Sequence, residues 1–160
     1  MSTLTLVHVV ISLIGIFSGF VVAFGLLSSK RLDGWTALFL VTTVLTSVTG
    51  FLFPIHGVTP GLKLGVISLV MLAVAILARY AMHLAGVWRK IYVITAVISL
   101  YLNVFVLIAQ AFMKVPALKA MAPTGSEPPF LISELVVLVL FIVLTIFAAI
   151  KFRNDSPLAA

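Results

Sequence analysis

Five side chains in this sequence have the types and positions to bind a ligand or carry a proton: His8, His56, Asn103, Gln110 and Glu134. Glu134 is a carboxylate set inside an apolar run, and ionisable groups in such runs are rare and usually functional. His8 sits at a similar depth in the first run and is its natural partner. Asn103 belongs to a stripe of Tyr92, Ser99, Asn103 and Gln110, whose spacing of seven, four and seven places them on one helix face. An unpaired amide at the middle of a membrane costs several kcal/mol, so Asn103 is expected to look inward. His56 and Lys63 fall in or beside a connection at the same level as His8, Gln110 and Glu134. If the helices close into a bundle, these groups converge on one outward-facing polar pocket.

Other chemistries are poorly supplied. The absence of cysteine removes disulfides, thiolate metal sites and cysteine nucleophiles. No HExxH and no serine elbow occur, and no two carboxylates are placed for acid/base work. Haem would need two facing histidines, and only His8 and His56 share a side. A quinone needs only a polar pair beside an apolar slot. The expected cofactor set is therefore none, with haem or quinone redox chemistry as the alternative.

The elements that must position these residues are long and apolar. Hydrophobic residues make up 63% of the 160-residue chain and charged residues 9%, far below the usual quarter for a soluble domain. A membrane-spanning helix needs about 20 apolar residues. Five runs qualify: 4–27, 35–53, 62–85, 91–113 and 130–150. The reading is an all-α integral membrane bundle of five helices forming a single domain over 1–160. Polar or Gly/Pro-rich stretches separate the runs: 28–34, 54–61, 86–90 and 114–129. The first run has nothing basic before it and about twice the length of a signal-peptide core, so it is expected to span.

Direction follows from the cations. Lys30, Arg31, Arg89, Lys90, Lys151 and Arg153 fall on one side, with Arg79 close by; Lys63, Lys114 and Lys119 fall on the other. The positive-inside rule then puts the amino terminus outside and the carboxyl terminus in the cytoplasm. Arg79, Arg89 and Lys90 are expected to contact lipid headgroups from the inner interface, a buried pairing of Arg79 being disfavoured. Gly15, Gly19 and Ala23 extend a GxxxG seam with His8 at its outer end, a pattern that lets helix backbones approach closely. The threonines of the second run read as packing residues that return their hydroxyl bonds to the preceding turn.

The stretch Tyr101-Leu102-Asn103-Val104-Phe105-Val106, continuing through Ala109-Gln110-Ala111-Phe112 to Ser126-Glu127-Pro128-Pro129-Phe130, resembles a segment of small bacterial inner-membrane proteins with no assigned activity. The resemblance implies a multi-pass protein of the bacterial cytoplasmic membrane and no site residues. The expected function is a non-enzymatic protein that binds or passes a small solute, lipid or proton at the outer cluster. Besides the redox alternative, an accessory or assembly subunit of a larger complex fits the same features. Partners are then membrane lipids, a second copy or a larger complex, and no nucleic acid.

Overall fold

The computed structural model describes residues 1–54 and 56–153, and these are all-helical, with no strand among them. In chain order the helices are α1 (Thr3–Leu27), α2 (Asp33–Gly50), α3 (Pro60–Ile76), α4 (Val87–Lys114), α5 (Pro116–Met121) and α6 (Pro128–Lys151). Their starts are chemically specified. The Ser2 hydroxyl accepts from the Thr5 amide at 3.1 Å, and the Thr59 hydroxyl accepts from Leu62 at 3.2 Å ahead of Pro60. Both caps satisfy amides that the helix itself leaves open. Prolines in the first turn start α3, α5 and α6, where the missing N–H costs nothing.

Two boundaries differ from the sequence expectation. The third run is not one α-helix to residue 85: it passes into a π turn at Leu77–Ala81. The widened turn is closed by Met82 N–H donating to Leu77 O at 2.9 Å. The long connection before the last run also contains a helix of its own, α5. Among the described residues four elements are long and apolar enough to cross a membrane: α1, α3 with its π turn, α4 and α6. Helix α2 has 18 residues, begins on Asp33 and carries Thr42, Thr43, Thr46, Ser47 and Thr49, so it is shorter and more polar.

Helices α1 to α4 form a closed ring in which α1 packs on α2, α2 on α3, α3 on α4 and α4 back on α1. Helix α6 covers the seam between α1 and α4. Ring pairs fix its direction, Phe112 meeting Phe130 at 5.5 Å and Tyr101 meeting Phe141 at 5.5 Å. Tyr92 meets Phe152 at 6.2 Å, so α4 and α6 are antiparallel. The ring closes tightly where α1 carries small residues. A methyl group built on Gly19 would lie 2.6 Å from Leu100 of α4 and 2.9 Å from Phe39 of α2. Gly15 in turn faces the hydroxyls of Thr42 and Thr43.

The outer surface is the reverse of a soluble protein's. Leu131, Ile132, Leu135, Val139, Ile142 and Ile146 of α6 are all exposed. A continuous apolar face of this extent is stable in acyl chains and not in water. Half-buried hydroxyl side chains stay beside it by bonding their own helix, as Thr46 does to Thr42 O at 2.8 Å and Thr145 to Phe141 O at 2.7 Å.

Candidate functional site

Glu134 lies six residues past the start of α6, roughly 9 Å along its axis. Its side of the helix is the one turned to the bundle. Phe130, one turn earlier, meets Phe112, while Phe141, two turns later, meets Tyr101 and Phe20. Glu134 is held between these aromatic contacts and is only 8% exposed. Both carboxylate oxygens are shut off from solvent, and neither has a hydrogen-bond partner. A buried carboxylate without a donor is costly, so this position favours whatever supplies one: a proton, a cation or a donor on a ligand.

His8 is placed differently. Its ring lies edge-on to Phe53 at 5.2 Å, and Nδ1 is 2.8 Å from the Thr49 hydroxyl of α2. That hydroxyl already donates to Leu45 O at 2.7 Å. Its oxygen is therefore the acceptor for Nδ1–H, an assignment from the bonding pattern, and Nε2 is left as the ring's acceptor. The histidine at the end of the glycine seam thus fastens α1 to α2.

The remaining polar candidates point elsewhere. Gln110 follows Tyr101 by nine residues, two and a half turns, and so lies on the side of α4 away from α6. It is exposed, as are His56 and Lys63. Asn103 follows Tyr92 by eleven residues, on the face where Tyr92 meets Arg79 of α3. Eleven residues before Arg79 in the antiparallel α3 is Ser68, which accepts from Ser47 of α2 at 3.3 Å. Asn103 therefore lies at the depth of a small buried hydroxyl layer, but its Nδ2 has no partner. Among the described residues no hydrogen bond or ion pair joins any two of His8, His56, Asn103, Gln110 and Glu134. His8 turns to α2, Glu134 to the α4–α6 seam and Gln110 to the opposite side of α4, because helix faces as well as depth decide what meets.

The far end of the bundle, away from the amino terminus, holds a polar centre that the sequence reading missed. Arg79 is 2% exposed, which corrects its expected place among lipid headgroups. It forms an ion pair with Asp33 at the start of α2 and donates to Arg31 O at 3.1 Å. Its guanidinium lies over the Tyr92 ring at 5.2 Å and near Tyr80 at 5.9 Å. Helical spacing accounts for this: Arg79 follows the buried Ser68, Leu72 and Ala75 by eleven, seven and four residues, so it continues the bundle-facing side of α3 into the π turn. Asp33 and Arg79 share an end of the bundle in the sequence, but which helix the face of Ser68, Leu72 and Arg79 packs against is not stated by any sequence period. Arg89 and Lys90 stay at the periphery, Arg89 half-buried and Lys90 exposed. The described residues contain no group of three or more histidine and acidic side chains able to hold a metal.

No protein-family model matches the chain, and no curated protein or solved structure matches it either.

Proposed function

We propose that this chain is a non-enzymatic membrane protein in which Glu134 binds and releases a proton, or a small cation in its place, within the α4–α6 interface. The carrying observation is the carboxylate itself, enclosed by aromatic side chains, with both oxygens lacking any donor. A fold gains nothing in stability from such a group, which favours a functional role over a structural one. In this reading α2 also crosses, giving five spans with the amino terminus outside, and Glu134 is loaded from the outer interface two helical turns away. Its 18 residues span roughly 27 Å at 1.5 Å each, close to the hydrocarbon thickness. The cation asymmetry supports the direction, and the resemblance noted above supports a bacterial cytoplasmic membrane as the setting.

Two measurements test the reading. In proteoliposomes, infrared spectra should show a protonated carboxyl band that is absent from Glu134→Gln, and proton release to a trapped dye should be lost in that variant. A wild-type protein with no such band between pH 5 and 9, and with proton and cation movement unchanged by the substitution, would refute it. Because the chain has no cysteine, single substitutions Ser2→Cys, Val58→Cys and Ser126→Cys can be mapped directly with impermeant reagents. They should label from one side, and Lys30→Cys and Lys90→Cys from the other; a mixed pattern refutes the five crossings.

A further inference from the structure

We propose that the groove between the start of α4 and the end of α6 seats the headgroup of one anionic phospholipid. The groove encloses about 610 Å³ and is lined by Arg89, Lys90, Ile146, Ala149, Ile150 and Arg153. Three cations therefore face one space, and no acid among the described residues lines it. Of the chain's other acids, Asp33 is engaged by Arg79 and Arg31, and Glu127 and Glu134 belong to the opposite end. Asp155 lies outside the described residues. Helix α4 has no acid in its first turn and no side-chain cap, so the positive end of its 28-residue dipole is left uncompensated beside the groove.

Two further details separate this groove from a scatter of surface lysines. Arg89 is half-buried at the groove wall, and its Nε has no hydrogen-bond partner among the described residues, so its donor capacity is not met within the protein. Arg153 is held in place by the Ser29 hydroxyl, which accepts from its amide at 2.8 Å and donates to its carbonyl at 2.9 Å. The turn between α1 and α2 thereby fixes the third cation where the last helix would otherwise fray. The opposite wall is apolar: Ile146, Ala149 and Ile150 follow a helical i, i+3, i+4 pattern and continue into the lipid-facing side of α6. Cations above and an apolar ramp below match a phosphate with an attached acyl chain, and basic pockets between membrane helices are a recognised form of headgroup recognition. A free phosphate would use the cations and leave the ramp unused.

The experiment is native mass spectrometry of the full chain in delipidated detergent, titrated with phosphatidylglycerol, phosphatidylcholine or inorganic phosphate. One phosphatidylglycerol should be retained in preference to phosphatidylcholine. Each cation removed should weaken retention about fivefold, the equivalent of ~1 kcal/mol per basic residue at an anionic surface. Arg89→Gln and Arg153→Gln should each do so, and the pair together should weaken it about thirtyfold. Lys151→Gln, which removes an exposed cation at the same end but outside the groove, should have little effect, and circular dichroism of each variant establishes that it is folded. Equal retention of both lipids, equal loss with Lys151→Gln, or full competition by inorganic phosphate would overturn the proposal.

Discussion

Removing the acid of the Arg79–Asp33 pair should harm the fold more than removing the arginine. The two partners are unequally exposed: side-chain exposure is 1% for Arg79 and 74% for Asp33. Asp33→Ala leaves a guanidinium among Tyr92, Tyr80 and helix backbone, with Nη1 already lacking a partner. Stranding a fully buried charge costs 3–5 kcal/mol. The Arg31 carbonyl still holds one nitrogen and water reaches the Asp33 side, so the expected loss is about 2–3 kcal/mol. A few tenths of this come from losing an acid in the first turn of α2. Arg79→Met, by contrast, fills the same space with an apolar chain and releases Asp33 to water, where it needs no partner. That substitution should cost only about 0–1 kcal/mol, since apolar replacement of buried ions is often near neutral. In the double variant the stranded charge is gone, so the losses should fall short of additive by about 1–2 kcal/mol. Denaturant unfolding in mixed micelles can be followed through Trp35 and Trp88, which flank this end of the bundle. If Arg79→Met proves as damaging as Asp33→Ala, or the two losses simply add, the argument from unequal exposure is wrong.

Gly19→Ala should destabilise the bundle by about 1–3 kcal/mol, because the added methyl meets Leu100 and Phe39 at 2.6 and 2.9 Å. Combining it with Leu100→Ala, which opens space at the same point, should cost less than the sum; additive losses in the same unfolding assay would contradict the contact. At the start of α6, Glu127 accepts from the Thr124 hydroxyl at 2.7 Å and from the Thr124 and Ser126 amides. The Thr124 hydroxyl is the main cause that holds the Glu127 carboxyl down to about 2, against an ordinary 4.5. A depressed carboxyl stabilises its turn above the ordinary value and loses that contribution as pH falls from about 4.5 through 2. A carbon-13 titration of Glu127 should show this midpoint, and Thr124→Val should raise it; a midpoint near 4.5 in both proteins would contradict the turn.

What the sequence made legible was the part governed by one-dimensional rules. The apolar runs located α1, α4 and α6 to within a few residues, since length and hydropathy alone decide them. The glycine seam at Gly15 and Gly19 marked a close approach because only small residues permit one. The threonines of α2 bonded to their own helix, as hydroxyls without an external partner do in an apolar phase. Azimuth was not legible. His8, Gln110 and Glu134 lie toward one end in the sequence, but they look toward α2, away from α6 and into the α4–α6 seam respectively. Depth in a membrane is read from counting residues, whereas direction depends on which helix lies next to which, and no sequence period states that.

Arg79 shows why the second kind of information carries the chemistry. An arginine near a helix end in lipid has two low-energy solutions: extend to the headgroups, or find an acid and aromatic faces inside. Composition favours the first, because cations at that end outnumber acids. Packing reverses the outcome, because Arg79 lies on the same buried face as Ser68, Leu72 and Ala75, where Asp33 and Tyr92 meet it. Arg79 and Arg31 take up Asp33, and among the described residues Arg89, Lys90 and Arg153 are left as the groove's charge without an acid beside them. The cations of the far end thus fall into different settings: Arg79 is buried against an acid where α2 meets the end of α3, and the three in the groove face outward. At the other end Glu134 has the complementary deficit, a carboxylate whose two oxygens have no hydrogen-bond partner. A bundle that pairs its charges where α2 meets α3, but leaves opposite charges unpaired at its two interfaces along α6, concentrates its unmet electrostatic demand on that one helix. Substitutions of Glu134 and of the groove's cations should accordingly disturb ligand and lipid responses before they disturb folding, whereas those at the Arg79 centre should do the reverse.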